Sequence, residues 1–290
     1  MEDSASPSPP ALPSPHSQIW LDDDPSGHYH RTELWAVLLF KLLDGHQAEA
    51  LISLAEQHAA AHGWSTGRHK YYPTTDIAVG PDTAPALHNA IWPLIDGCVL
   101  PLLAKHFSFH MHELSMRDLF VVKYEASRRD VQDHLAPHRD GNLLSFSVLL
   151  SDPAEFDGGG LRFHSLGPTC KACSSTPRQH QHLSSCSHCN GTGRLAIPGV
   201  GRGDLTLHCG KLLHEGAPVL RGKRYLIVGF VIVTSPRVDL EFVATSQMAN
   251  TSASGRWADH QVVGQALRQP PRPPKPPPQF GGEDDLAGFF

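Results

Sequence analysis

The hydrophobic period of this chain changes once, near Arg117, and that change restricts the possible fold more than any other feature. Downstream of it, LFVVKY, LLSFSVLL, LRFH, DLTLHC and RYLIVGFVIV are short, rich in β-branched and aromatic residues, and bounded by Gly, Pro or Asp. Such runs are strand signals. Upstream, three stretches carry apolar residues at helical spacing. Arg31 to Asp44 has Leu34, Val37, Leu38 and Leu42, with a stop at Gly45. Gln47 to His62 is rich in Ala and Leu and ends at Gly63, and Ala84 to His106 must kink or split at Pro93 and Pro101. Helices followed by strands predict an α+β chain with a β-sandwich or jelly roll at its centre.

The 290 residues suit one main core with tails and an insert. The expected division is a disordered tail over 1–27 and a helical support region over 28–116. A β-core over 117–235 follows, interrupted by an insert at 167–194, then an extension over 236–268 and a Pro-rich tail over 269–290. Within that tail, QPPRPPKPPPQ (Gln269 to Gln279) is a polyproline II tract: a stiff solvated end, or a ligand for an SH3-type partner. A net charge of -5 argues against a nucleic-acid partner, which would meet a basic stripe. Apolar runs such as Tyr225 to Val233 fall short of the roughly 18 residues a spanning helix needs, so no membrane partner is expected. The start, MEDSASPSPPALPSP, lacks the basic and apolar segments of a secretory signal, which favours a cytoplasmic or nuclear setting. In that reducing setting the six cysteines are thiols or metal ligands rather than disulfides.

One constellation carries chemistry. In LAPHRDGN, His138 and Asp140 stand two apart in an extended segment and present an imidazole and a carboxylate to the same side. Far downstream, LLHEG offers a second imidazole, His214. Two His and one carboxylate leave open coordination positions, the pattern of non-haem Fe(II) enzymes. With 20 histidines in the chain, the short motif arises readily by chance. Its context is more specific. Ten residues after His214, Arg224 opens the strand RYLIVGFVIV. A guanidinium entering a β-core needs an anion, and the far carboxylate of a dicarboxylic acid supplies one while its keto-acid end chelates metal. Arg221 and Lys223 fit an ordinary surface role better.

These segments resemble a known group. VVKYEASRRDVQDHLAPHRDGNLLSFSVLLSDPAEFDGGGLRFH and GDLTLHCGKLLHEGAPVLRGKRYLIVGFV are similar to the catalytic domain of the prolyl 4-hydroxylase and procollagen lysyl hydroxylase superfamily of Fe(II)/2-oxoglutarate-dependent dioxygenases. The shared features are H-R-D, the D-G-G-G-L-R-F block, H-E-G-x-P-V and G-x-R-Y, in order over about 119–233. The resemblance implies a double-stranded β-helix core, iron held by His138, Asp140 and His214, and the 2-oxoglutarate C5 carboxylate on Arg224. Tyr124 stands where members place a co-substrate tyrosine, though its spacing to His138 is longer and a core aromatic is the alternative. Also implied are O2 as co-substrate, L-ascorbate dependence, decarboxylation of 2-oxoglutarate to succinate, and hydroxylation of a prolyl or lysyl side chain in a protein or peptide. An oxygenase on a small metabolite and a non-catalytic zinc-containing interaction module remain the alternatives.

Between LRFH and DLTLHC the pattern is interrupted by Cys170-Lys-Ala-Cys173 and Cys186-Ser-His-Cys189. Two C-x-x-C pairs make a tetrahedral thiolate site for structural Zn(II), which supplies folding energy that a Ser-rich loop lacks. CSHCNGTG also looks like one copy of the DnaJ cysteine-rich repeat. Cys98 and Cys209 are expected to be plain buried thiols.

Overall fold

A computed structural model describes residues 12–24, 26–126, 132–174, 186, 189, 193–246 and 256–268. In chain order the strands are β1 (Ser17–Trp20), β2 (Ala36–Lys41), β3 (Asp76–Ala78), β4 (Leu114–Glu125), β5 (Leu135–His138), β6 (Leu144–Leu149), β7 (Asp157–Gly158), β8 (Leu161–Phe163), β9 (Asp204–Cys209), β10 (His214–Gly216), β11 (Val219–Arg221) and β12 (Lys223–Val233). The helices are α1 (Gly45–His62), α2 (Pro85–Leu94), α3 (Leu100–His106), α4 (Lys171–Ser174), α5 (Leu240–Thr245) and α6 (Arg256–Ala266). The strands form an antiparallel jelly roll. A seven-stranded sheet in the order β1-β2-β9-β6-β12-β4-β3 is opposed by a three-stranded sheet, β5-β10-β8, and a two-stranded one, β11-β7. Helices α1 to α3 belong to the main apolar core beneath the large sheet, through Ala48, Leu51, Leu87, Ile91, Leu102 and Leu103.

The helix expected from Gln47 begins at Gly45, because Asp44 caps it. The Asp44 side chain accepts from the Gln47 N–H, and Gln47 returns the bond to the Asp44 N–H. The Pro93 and Pro101 interruptions are absorbed rather than broken: α2 and α3 are continuous through a π-helical turn at Ile95–Val99. This makes Pro85–His106 long and apolar enough to cross a membrane by length and composition, contrary to the expectation that no such segment exists. Counting uninterrupted apolar runs missed it, since its polar residues are dispersed. Its apolar face, Leu87, Ile91, Ile95, Val99 and Leu103, is buried in the protein's own core.

Two upstream expectations are overturned. The segment 31–44 is not a helix: a 3-10 turn (Glu33–Trp35) leads into strand β2, buried from Ala36 to Phe40 between β1 and β9. A short run buried on both sides has no period to distinguish strand from helix. The tail over 1–27 is not wholly unstructured either. Ser17–Trp20 pairs with Leu39–Ala36, and Leu21 is buried. The region 28–116 therefore supplies β2 and β3 to the large sheet as well as helices. The Pro-rich tail and its SH3-type reading lie outside the described residues.

Candidate metal and anion site

The sequence-predicted triad converges between the two sheets. His138 ends β5, His214 begins β10, and the two are directly paired across the ladder. Asp140 lies just past β5, tied by its N–H to the Gly210 carbonyl at 2.7 Å. Each histidine donates from Nδ1 to the carbonyl two residues earlier, Ala136 and Leu212, at 2.8 Å. That leaves both Nε2 atoms facing Asp140 Oδ1, at 3.4 and 3.8 Å. Ligand atoms of all three side chains fall within 4.8 Å of one another. The other carboxylate oxygen of Asp140 accepts from Ser145 Oγ at 2.5 Å. Burial alone would raise the Asp140 carboxyl, but the imidazoles of His214 and His138 outweigh it and hold it below the ordinary carboxylate range. Burial drives His214 well below the usual imidazole value. Neutral imidazoles and an ionised carboxylate are the forms that bind a divalent cation, and this donor set suits a first-row transition metal.

The triad opens into a cavity of about 340 Å³ lined from the large sheet by Phe120, Tyr124, His208 and Arg224 and from the small sheet by Leu135 and Leu161. Arg224 is 6% exposed, and its Nε has no hydrogen-bond partner. Burial lowers its pKa to about 10, partly offset by Tyr124, its cross-strand neighbour. A buried guanidinium facing a cavity has the charge and geometry to hold a carboxylate there. Gly159, at φ 66°, makes room for it: a Cβ there would stand 3.0 Å from Arg224 Cδ. By contrast, Arg221 is exposed and bonded to Asp157 at 2.6 Å, and Lys223 lies 3.8 Å from Glu125. Tyr124 is buried opposite Arg224, where burial lifts its phenol to about 12 and keeps it a neutral donor.

No family model matches the chain. The multifunctional procollagen lysine hydroxylase and glycosyltransferase LH3 of Rattus norvegicus is 28% identical over 208 residues, covering 67% of this chain and 23% of that protein. The Mus musculus procollagen-lysine,2-oxoglutarate 5-dioxygenase 2 is 27% identical over 207 residues, with the same coverage of each. This chain thus spans about a quarter of the length of these relatives. Among solved structures, a Pseudomonas putida prolyl-4-hydroxylase aligns with TM-score 0.43 and 13% identity, over 66% of this chain and 89% of that one. The α-ketoglutarate-dependent epimerase SnoN aligns at 0.44 and 18%, over 68% and 78%.

Sequence reasoning missed several residues around the site. Tyr72 packs on the His138 ring at 4.8 Å between centroids. His208 meets the His214 ring edge-on at 4.9 Å and points its Nδ1 at the Cys209 carbonyl. His208 and Ser145 stand at alternating polar positions of DLTLHC and LSFSVL, with Thr206 and Ser147, and that period-two pattern of polar residues could have found the cavity-facing side. Tyr72 has no such signal.

In the insert, Cys170, Cys186 and Cys189 place their sulfurs within 4.8 Å of one another, with Cys170 and Cys189 buried and no disulfide formed. The Cys173 side chain lies outside the described residues. An isolated bridge between Thr169 and Arg194 closes the neck of the insert. Cys209 is a buried thiol pushed up to about 12 by burial, as expected, whereas Cys98 is only half-buried.

Proposed function

We propose that this chain is an Fe(II)- and 2-oxoglutarate-dependent dioxygenase that hydroxylates a side chain of a protein or peptide. The observation that carries the reading is the buried, partner-poor Arg224 sharing one cavity with the His138–Asp140–His214 cluster. A metal site and an anion receptor sharing one cavity match a chelating dicarboxylic acid. Names of the relatives, all concerned with lysine hydroxylation of procollagen, support the substrate class.

When bound, iron supplies the activation of O2 coupled to decarboxylation of 2-oxoglutarate to succinate. The chain's own residues do the rest. His138 and His214 offer Nε2, their orientation locked by the Nδ1 bonds. Asp140 offers Oδ1 while Ser145 holds Oδ2. Arg224 takes the C5 carboxylate, with the Tyr124 hydroxyl beside it. Phe120, Leu135, Leu226 and Phe230 make part of the cavity wall apolar. Ascorbate would keep the metal reduced between turnovers.

The lining also bears on the target. Arg68, Lys70, Arg117 and Arg224 line the cavity, and among the described residues Asp140 is its only carboxylate. Arg68 is neutralised by Asp76 and Asp118 at 2.6 and 2.7 Å, but Lys70 and Arg117 are exposed. Exposed charges are screened by solvent and salt, so this lining admits a prolyl or a lysyl side chain. For the insert, we propose a structural Zn(II) held by Cys170, Cys173, Cys186 and Cys189, on the strength of the three clustered sulfurs.

Succinate release and peptide mass change, measured with Fe(II), 2-oxoglutarate and matched prolyl and lysyl peptides, test the reading. Asp140→Ala and His214→Ala should each lower turnover at least 100-fold while unfolding stays cooperative. Unchanged turnover in either variant would remove the central claim.

A further inference from the structure

The C-terminal helices α5 and α6 reach the back of the His138–Asp140–His214 cluster. Asp259, on α6, is fully buried. Its Oδ1 accepts from Arg139 Nη1 at 2.5 Å and from the Leu213 N–H at 3.1 Å, and its Oδ2 accepts from the Ser165 hydroxyl. Arg139 stands between His138 and Asp140 in the chain, and Leu213 directly precedes His214. Arg139 also donates to the Lys211 carbonyl. Lys211 in turn donates to the carbonyls of Asp140 and of Val243 on α5, both at 2.6 Å. None of Asp259, Arg139, Leu213, Ser165, Lys211 and Val243 lines the cavity.

We propose that Asp259 is a positioning residue that sets metal affinity without touching the metal. It cross-ties the His138–Asp140 segment to the His214 segment and anchors both to the C-terminal helix. The physical need is clear from the small sheet. Strand β5 has four residues and β10 three, and their register shifts between His214 and Gly216. So short and irregular a ladder holds its two strands weakly, while a metal site requires its donors fixed within a few tenths of an ångström. A buried, charge-assisted junction with one carboxylate serving both segments provides that stiffness. The inference rests on the proposed metal site.

The test uses the full chain and Co(II) as a spectroscopic stand-in, with its dissociation constant read from visible absorption. Asp259→Asn retains an oxygen acceptor for Leu213 but leaves Arg139 without its counter-charge. Its affinity for Co(II) should fall roughly tenfold or more, the usual effect of losing a group that orients ligands. Because that variant strands a buried charge and can unfold, Arg139→Met/Asp259→Leu removes both charges together. It should fold cooperatively and bind Co(II) with similarly weakened affinity. His260→Ala is the control for general loosening of α6, since His260 bonds the Asp22 carbonyl and packs on Trp35 instead. It should lower the thermal midpoint but leave the dissociation constant within twofold. Wild-type affinity in the double variant, or equal weakening in His260→Ala, overturns the role of Asp259 while leaving the metal site standing. Failure of the wild-type chain to bind Co(II) overturns the metal site itself, and this inference with it.

Discussion

Arg224 concentrates the residue-scale argument. It is buried, its Nε is unpartnered, and the cavity beside it ends in the clustered side chains of His138, Asp140 and His214. Ligand binding raises stability by RT ln(1 + [L]/Kd), about 2.7 kcal/mol at one hundred times Kd. Saturating 2-oxoglutarate with Mn(II) should therefore raise the wild-type thermal midpoint by several degrees. In Arg224→Leu that rise should vanish, with the midpoint of the ligand-free protein not lowered, because an uncompensated buried cation has been removed. Arg221→Ala, which deletes an exposed pair with Asp157, should keep the full ligand-induced rise. Thermal melts of the three proteins with and without ligand check this, and an exchange of behaviour between the two arginines would sink the assignment.

Among the elements, α1 was legible from its Ala- and Leu-rich run and its Gly63 stop, which are local in sequence, whereas its Asp44 cap and Gly45 start emerged only in the structure. Strand β2 was not, because its state depends on β1 and β9 lying to either side. The cysteine insert is intermediate. Its spacing was visible, and Cys170, Cys186 and Cys189 do meet, but nothing local says whether a metal joins them. Cys186→Ser should release about one equivalent of zinc per chain, measured by elemental analysis, and increase proteolysis between 167 and 194. Decarboxylation of 2-oxoglutarate without substrate should change less than twofold, since the Thr169–Arg194 bridge at the insert's neck is not part of the β5-β10-β8 ladder that carries His138 and His214. Zinc-free wild-type protein with alkylatable thiols would rule out the zinc centre.

For the molecule as a whole, the buried histidines set the response to acid. Burial pushes His214 and His208 below the usual imidazole range. Their unfolded forms therefore take up protons first, at about pH 6.5. The sign follows: stability from these groups is complete above that pH and declines as pH falls toward the lower folded values. The metal-free chain should show a falling thermal midpoint between pH 7 and 5, by calorimetry in low salt. Replacing His208 by Gln should flatten that slope; an unchanged slope would exclude His208 as a contributor.

What the sequence determined by itself was whatever chemistry is written in short, ordered spacings. H-x-D and the distant His214, Arg224 ten residues on, the paired cysteines, and strands with alternating or β-branched runs all belong to this class. Each is a short motif legible locally, and the distant ones were joined by their order along the chain, which the resemblance supplied. Tertiary structure decided the rest: that 36–41 is a strand, that Ser17–Trp20 completes the large sheet's edge, and that Tyr72 covers His138. It also decided that Asp259 meets Arg139 across 120 residues of chain. No local period encodes such a meeting. It exists because the sheet order β2-β9-β6 and the return of α6 bring distant segments to one buried point, where an unpaired charge would be too costly to leave.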